Sequence, residues 1–316
     1  MDIHTSWFII VNPKSGSHRP KRLANLCELL EAKHLPFDKA VTQHPLHATQ
    51  LAKDALSQGY RNFIISGGDG TYNEVINGIF GQQEVLPNDI TLAMIPSGTG
   101  NDWIKTMKVP FEIEKIVDLI VHKKSVLQDI GKVTFFEENQ QKENYFLNVA
   151  GTGFDVYVAK NFLSKDKKFG KLSYAFGVVQ GLFSYKNTAI NIRLQDGQEI
   201  KTKIFLLAVG ICKYFASGVK ICPEAIPDDG HFDLTVFKGM TKWETFTELR
   251  KIKQLVEGRF ENFSQIEIFR SNTFSITSDQ RIYLQSDGEL MGHSPFEFSI
   301  LPKSINVITT TNLPFS

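Results

Sequence analysis

Short apolar runs alternate with helix-like segments over the first hundred residues. The runs with the length of buried strands are Trp7–Val11, Phe37–Val41, Phe63–Ile65 and Ile90–Ile95. The segments with helical spacing of their apolar residues are Arg19–Lys33, Leu46–Leu56 and Tyr72–Ile79. Strands of this kind that alternate with helices predict a parallel sheet covered by helices.

The pattern changes after about Leu127, where strand-like runs follow one another. These runs are Tyr145–Val149, Ala189–Leu194, Ile200–Val209, Phe232–Phe237, Ile266–Phe269, Thr273–Thr277, Ile282–Gln285 and Phe296–Leu301. Two helices are expected among them, near Lys171–Phe183 and Lys242–Val256. We therefore predict an α/β chain with a Rossmann-like domain over residues 1–125, completed by 302–316. A β-rich, antiparallel, sandwich-like domain is predicted over 126–301.

Composition and charge narrow the class of protein. The 316 residues carry a formal net charge of +1, with 42% apolar and 22% charged residues, which excludes a disordered or supercharged chain. Nothing in this balance favours nucleic acid as a partner. Three cysteines without a CxxC pair disfavour a disulfide framework and a zinc ribbon. The longest apolar stretch, Ile204–Cys212, is far shorter than the ~20 residues of a spanning helix, so we expect a cytoplasmic protein whose membrane contacts are peripheral.

Three glycine-bearing loops each follow a predicted strand, and they are Asn12–Gly16, Ser66–Thr71 and Pro96–Asp102. The carboxyl ends of parallel strands form the ligand crevice of such a sheet. Glycine lets backbone N–H groups approach phosphate oxygens, and the next helix adds its positive end. One such loop could be a simple turn, but three at one edge predict a phosphate site. The chain lacks the motifs of P-loop NTPases, Rossmann dehydrogenases and protein kinases.

The loops resemble those of the diacylglycerol kinase catalytic family, which includes sphingosine and ceramide kinases and is related to NAD kinases and phosphofructokinases. Asn12-Pro13-Lys14-Ser15-Gly16 is similar to its NPxSG loop, and Gly67–Glu74 to its GGDGTxNE motif. Three later segments complete the family order: Pro96–Asp102 for PxGTxND, Ile226–His231 for a second-domain metal loop, and Asp287-Gly288-Glu289 for DGE. The resemblance spans residues 12–289.

The resemblance implies ATP and Mg²⁺ as cofactors. The implied ATP-binding residues are Asn12, Pro13, Lys14, Ser15, Gly16, Thr42, Gly67, Gly68, Asp69, Gly70, Thr71, Asn73, Glu74, Gly98, Thr99, Asn101 and Asp102. Asp69 is expected to hold Mg²⁺ beside the phosphates, and Asp102 either assists it or caps the next helix. Asp229, with the backbone carbonyls of Ile226 and His231, is implied to hold a structural Mg²⁺; a plain turn is the alternative. His44 and His47 lack a third metal ligand.

Four Asp-Gly pairs occur, at Asp69, Asp196, Asp229 and Asp287. The pair at Asp196 separates two alternating strands and predicts a hairpin turn. By spacing alone, the pair at Asp287 also predicts a turn. The resemblance instead implies that Asp287 is the general base for the lipid hydroxyl, with Glu289 adjacent in role. The sequence leaves open which of the two carboxylates is the base.

Residues 160–186 carry six lysines against one acidic residue, Asp166, and aromatic residues are interleaved with them. This composition fits docking on an anionic membrane surface, or alternatively a solvated basic face over a packed core.

We therefore expect a lipid kinase that transfers the ATP γ-phosphate to the hydroxyl of a lipid such as diacylglycerol at a membrane surface. An NAD kinase-like phosphotransferase, a sphingoid-base kinase and a non-catalytic nucleotide-binding module are the alternatives. No nucleic-acid partner is expected, and a homodimer is left open.

Overall fold

The computed structural model describes residues 3–15, 19–98, 100–162, 180–182, 184–244, 251–261 and 263–310. The helices are α1 (Arg19–Ala32), α2 (His47–Ser57), α3 (Asp69–Phe80), α4 (Asp102–Met107), α5 (Ile113–Val121), α6 (Phe154–Phe162) and α7 (Ile252–Val256), with 3-10 turns at Ile3–Thr5 and Pro87–Asp89. The strands of the first part are β1 (Trp7–Val11), β2 (Phe37–Val41), β3 (Asn62–Gly67) and β4 (Thr91–Pro96).

The later strands are β5 (Ser125–Glu137), β6 (Gln140–Phe146), β7 (Val149–Gly153), β8 (Thr188–Leu194), β9 (Glu199–Gly210), β10 (Tyr214–Phe215), β11 (Val219–Lys220), β12 (Phe232–Lys238), β13 (Ile266–Ser271), β14 (Thr273–Thr277), β15 (Tyr283–Ser286) and β16 (Glu289–Ile308).

The first part of the chain is an α/β layer, as the alternating pattern predicts. Strands β4, β3, β1 and β2 lie side by side in that order and pair in parallel. The central strands are apolar on both faces, and Ile9, Ile10, Ile64 and Ile65 are fully buried. Because all four strands point the same way, the loops that follow them meet at one edge of the sheet.

The second part is β-rich and antiparallel, as predicted. Strands β13, β12, β9, β7, β15 and β16 follow one another across the sheet. Four aromatic rings stack over its core: the rings of Phe274 and Phe298 lie 4.6 Å apart, and those of Phe146 and Phe232 lie 5.8 Å apart. Apolar burial of this kind is the main source of stability for such a domain.

The long strand β16 connects the parts into one 14-stranded sheet. Strand β16 runs antiparallel to β5 and then pairs in parallel with β4 at Asn306 and Val307. The sequence pattern predicts Phe296–Leu301 as a strand and Ile305–Ile308 as a separate stretch that returns to the first domain, since prolines interrupt the apolar pattern. The structure has one strand, and it accommodates the prolines where the register shifts. Strand β5 was not predicted, because its centre is polar: Gln128 and Asp129 are buried there and bonded outside the strand.

The predicted strand Tyr145–Val149 is wrong as a single element, because it ends at Phe146 and a new strand begins at Val149. The N–H groups of Leu147, Asn148 and Val149 leave the sheet and point to the carboxylate of Asp287.

Much of the two predicted helices lies outside the described residues, including 171–179 and 245–250. In the part of the chain that is described, no helix is long and apolar enough to cross a membrane.

Candidate active site

The three glycine-bearing loops meet at the carboxyl edge of the parallel sheet. Gly68 and Gly98 touch so closely that a Cβ on Gly98 would lie 2.8 Å from the Cα of Gly68. The first loop joins them, because the Asn12 amide donates a 2.8 Å hydrogen bond to the Thr71 hydroxyl. Glycine is required at this contact, since any side chain would separate the two loops.

The side chain of Asn101 holds the third loop in shape through hydrogen bonds to the backbone of the same loop. Its Oδ1 accepts a hydrogen bond from the Gly98 N–H at 3.1 Å, and its Nδ2 donates to the Gly98 carbonyl at 2.8 Å. The residue has a φ of 47°, a left-handed conformation that asparagine tolerates better than most residues. Asn101 therefore shapes the loop in the structure. Two predicted ATP-binding residues, Gly16 and Thr99, lie outside the described residues.

A cavity of about 640 Å³ opens beside these loops and brings many of the predicted ATP-binding residues together. Its walls include Asn12, Lys14, Thr42, Asn73, Glu74 and Glu289. Thr42 is held there because its N–H donates to the Val11 carbonyl at the end of β1. Glu74 accepts a hydrogen bond from the Ala48 N–H at the start of α2. The volume, and the amide, hydroxyl and carboxylate groups set among apolar surface in the walls, suit a nucleotide.

A second cavity, of about 270 Å³, lies between the two parts of the chain. Four carboxylates line it: Asp69, Asp102 and Asp155 from the first turns of α3, α4 and α6, and Asp287 from the turn between β15 and β16. The lining also includes the apolar side chains of Val149, Val156, Ala159, Phe215 and Leu290. A cavity lined by both carboxylates and apolar side chains suits a charged group that lies next to the apolar part of a lipid.

Asp69 and Asp102 lie against each other at the rim of this cavity. The Asp102 N–H donates to Asp69 at 3.1 Å, and Gly100 leaves room beside both carboxylates. Burial raises the pKa of Asp69, and the negative charge of Asp102 raises it further. Lys105 Nζ lies 2.6 Å from Asp102 Oδ1 and offsets part of this repulsion. The remaining carboxylate oxygens of the pair fit Mg²⁺, which proteins hold through one or two carboxylates while substrate phosphates complete the shell.

The loop between β10 and β11, in the second part of the chain, contacts Asp102. The Ser217 N–H donates a 2.7 Å hydrogen bond to Asp102 Oδ2. Ala216, Ser217 and Gly218 all have positive φ values, of 50°, 68° and 116°. Two consecutive non-glycine residues in this region are costly, and such strain gathers at functional sites. The sequence analysis missed this loop, because its residue types carry no signal of that conformation.

Asp287 is both a turn residue and a buried carboxylate. Asp287 and Gly288 have φ values of 48° and 88°, as a two-residue type I′ hairpin between β15 and β16 requires. The N–H groups of Leu147, Asn148 and Val149 each donate to its carboxylate at 3.1 Å. Burial raises the pKa of Asp287 to about 6, although these hydrogen bonds oppose the rise.

Asn73 supplies the fourth donor and links the two parts of the chain. Its Nδ2 donates to Asp287 Oδ2 at 3.1 Å and also to the Tyr145 carbonyl. The side chain is almost fully buried, so its amide is already committed to Asp287. The structure therefore gives Asn73 a positioning role, and its contact with ATP stays a prediction.

Glu289 lies two residues beyond Asp287, but its surroundings are different. Its side chain is exposed and borders the larger cavity. Its Oε1 would lie 3.1 Å from a Cβ built on Gly70, so it faces the glycine loop at the start of α3. The two candidate bases therefore differ in their surroundings. The Asp287 carboxylate accepts four hydrogen bonds, whereas the Glu289 side chain is accessible.

Gln128 was missed by the sequence analysis and connects α4 to the Asp287 region. It accepts a 2.9 Å hydrogen bond from the Trp103 indole and donates to the Leu147 carbonyl at 2.7 Å. Leu147 in turn donates to Asp287. The sequence held no signal for this role, because the burial of Gln128 and its two partners is set by the tertiary structure.

The predicted second-domain metal loop is held by an ion pair. The Asp229 carboxylate contacts the Arg270 guanidinium and also accepts the His231 N–H at 3.0 Å. Among the described residues, no group of three or more His, Cys, Asp or Glu side chains could hold a metal ion by itself. A cation at Asp229 would have to displace Arg270, so the structural Mg²⁺ with Ile226 and His231 stays a prediction.

The basic aromatic segment is described only at its ends. Lys160 lies over the ring of Tyr283, 3.1 Å from its centroid. The lysines at 165, 167, 168 and 171 lie outside the described residues.

Comparison with known proteins gives a consistent pattern. The family model described as the diacylglycerol kinase catalytic domain matches residues 6–133. The model described as the YegS C-terminal NAD kinase beta sandwich-like domain matches residues 148–309.

Relatives match over nearly the full length. The chain is 32% identical to a diacylglycerol kinase of Staphylococcus carnosus, covering 95% of this chain and 94% of that one. It is 31% identical to a diacylglycerol kinase of Bacillus subtilis, covering 95% of both. A crystal structure of a diacylglycerol kinase from Bacillus anthracis superposes with a TM-score of 0.73 at 22% identity over 97% of each chain, and this likeness shows the fold alone.

Proposed function

The chain belongs to the diacylglycerol kinase family and is a lipid kinase, and we propose that it transfers the γ-phosphate of ATP to the free hydroxyl of a diacylglycerol. The observation that carries the proposal is the carboxylate cavity between the two parts of the chain, because its lining combines glycine-loop residues such as Asp69 and Gly100 with apolar side chains. We propose that ATP lies along the strand ends of a Rossmann-like first domain and that the lipid lies against the second.

Asp69 and Asp102 would hold Mg²⁺, which would supply charge stabilisation for the transferring phosphoryl group. The glycine loops orient the phosphates with backbone N–H groups. The apolar wall binds the lipid beside its hydroxyl and excludes water from the cavity. These tasks fit phosphoryl transfer, whose catalysis depends mainly on positioning and electrostatics.

During the transfer, the lipid hydroxyl oxygen bonds to the γ-phosphorus, the bond to the ADP oxygen breaks, and the hydroxyl proton moves to a carboxylate. A carboxylate has about four lone-pair sites. Asp287 uses four for N–H donors from Leu147, Asn148, Val149 and Asn73. We therefore assign the proton acceptor to the accessible Glu289, and we assign to Asp287 the positioning of the hairpin that carries it.

The experiment is a substrate panel with radiolabelled ATP and Mg²⁺. A short-chain diacylglycerol, a long-chain amino alcohol and NAD are supplied separately to the full chain. We expect label in the lipid products and none in NAD. Label in NAD alone would contradict the lipid assignment, and ATP binding without transfer to any acceptor would indicate a non-catalytic module.

A further inference from the structure

The short hairpin of β10 and β11 is attached to the helix that carries Asp102. At the tip of the hairpin, the Ser217 N–H donates to Asp102 Oδ2 at 2.7 Å. Just before β10, the Lys213 N–H donates to the Thr106 hydroxyl at 3.0 Å. Asp102 and Thr106 both belong to α4, so two hydrogen bonds join the hairpin to this helix.

The first strand of the same hairpin is also attached to the Asp287 region, through Asn148. The Asn148 Nδ2 donates to the Tyr214 carbonyl at 2.9 Å, and the Asn148 N–H donates to Asp287 Oδ1 at 3.1 Å. Asn148 is almost fully buried. Since Asp287 lies in the turn that leads into β16 at Glu289, one hairpin links the metal carboxylate to the turn before the proton acceptor.

The tip of the hairpin has residues that are unfavourable for its conformation. The Gly218 N–H donates to the Phe215 carbonyl at 3.2 Å, and the two residues between them, Ala216 and Ser217, have φ values of 50° and 68°. Turns with two left-handed residues favour Asn-Gly, because most other side chains are crowded there. The bond from Ser217 to the Asp102 carboxylate is charge-assisted and offsets part of this cost. Strain that is held in place by such contacts is typical of functional sites.

Building on the proposed function, we propose that the β10–β11 hairpin fixes the position of Asp102 relative to the Asp287 turn, and that Ser217 and Asn148 are positioning residues for phosphoryl transfer. The link keeps the metal site and the proton acceptor aligned on the same lipid hydroxyl. Alignment of this kind has a large effect, because a misplacement of about 1 Å can lower a rate by about 10²-fold.

The first test is the single-turnover rate of short-chain diacylglycerol phosphorylation in Ser217→Val and Ser217→Gly. Valine is branched at Cβ and strongly disfavours a positive φ, whereas glycine adopts it freely and keeps the N–H donor. We expect Ser217→Val to lower the rate by about 10- to 100-fold and to raise the Mg²⁺ concentration that gives half-maximal activity. Ser217→Gly should stay within a few-fold of the wild type in both measurements.

The matched control is Lys123→Val. Lys123 follows α5, is exposed and has a φ of 49°, so valine meets the same backbone cost there, at a position outside the cavity lining. We expect both valine variants to lower the melting temperature and only Ser217→Val to lower the rate. Equal losses of rate in the two valine variants, or a normal rate in Ser217→Val, would overturn the proposal.

A double-mutant cycle tests the link itself. Asn148→Ala removes the amide that binds Tyr214 and keeps the backbone N–H that binds Asp287. If Ser217→Val and Asn148→Ala break the same link, the double variant should lose little more than the more impaired single variant. Losses that multiply would show two independent positions and would overturn the proposal. A wild type that phosphorylates no lipid would instead contradict the proposed function.

Discussion

Two turns in the second part of the chain have the same Asp-Gly dipeptide but differ in the burial and hydrogen-bond partners of the aspartate. At Asp196, the carboxylate is exposed and accepts the nearby Gln198 N–H, and Gly197 closes the hairpin between β8 and β9 with a φ of 87°. At Asp287, the carboxylate is buried and accepts donors from residues more than a hundred positions away. The same local chemistry makes both turns, and only the tertiary surroundings bring one of them to the carboxylate cavity.

The largest effect is expected from Asp287→Asn. Asn suits the left-handed turn, but its NH2 group would face N–H donors that now converge on a carboxylate. Each buried donor left unsatisfied costs roughly 1–3 kcal/mol, so we expect a lower melting temperature. Because the hairpin that positions Glu289 would be displaced, we expect the contribution of that base to be lost as well, about 10²- to 10⁴-fold in lipid phosphorylation. Thermal unfolding and single-turnover kinetics measure both. Full stability and near-normal turnover would show that Asp287 is only a turn residue.

Asp69→Asn is expected to come next, with an activity loss of about 10²- to 10³-fold, because a neutral amide is a weaker Mg²⁺ partner. The fold should persist with only a small change in melting temperature, because the substitution removes one of two neighbouring charges but also places an NH2 group beside the backbone N–H donors of residues 101–103. Activity is measured against Mg²⁺ concentration. Turnover within a few-fold of wild type at saturating Mg²⁺ would remove Asp69 from the metal site.

Asp229→Ala should have a smaller effect, of a few-fold in activity. Arg270 is half exposed, and such an ion pair contributes about 0–1 kcal/mol to stability. Metal analysis distinguishes the two interpretations of this loop. If Asp229 binds a structural Mg²⁺, the variant loses metal that Arg270→Gln retains. Equal metal content in the wild type and both variants would show that the ion pair between Asp229 and Arg270 holds this loop without a metal.

Asp196→Asn should change nothing measurable. Its side chain lies at the surface, where substitutions usually alter the free energy of unfolding by less than about 0.5 kcal/mol. Turnover and melting temperature are compared with the wild type. A marked loss of turnover in this variant would undermine the contrast between the two turns.

The limits of sequence prediction follow from the same contrast. The loops at Gly67–Thr71 and Pro96–Asp102 were predictable, because a glycine-rich loop directly after an apolar strand is recognised from neighbouring residues alone. The four-donor environment of Asp287 was not, because it depends on Asn73 and Leu147 arriving from other elements. Strand β5 escaped prediction for the same reason: Gln128 and Asp129 look unsuited to a buried strand until their partners are known.

The central claim is that Asp287 positions the site while Glu289 accepts the proton. It is tested most directly by the single-turnover rate of lipid phosphorylation in Glu289→Gln, at saturating ATP and Mg²⁺. We predict a loss of about 10²- to 10⁴-fold, as for removal of a general base, with unchanged melting temperature and ATP affinity. A rate within a few-fold of wild type would contradict the claim and would indicate that Asp287 is the proton acceptor.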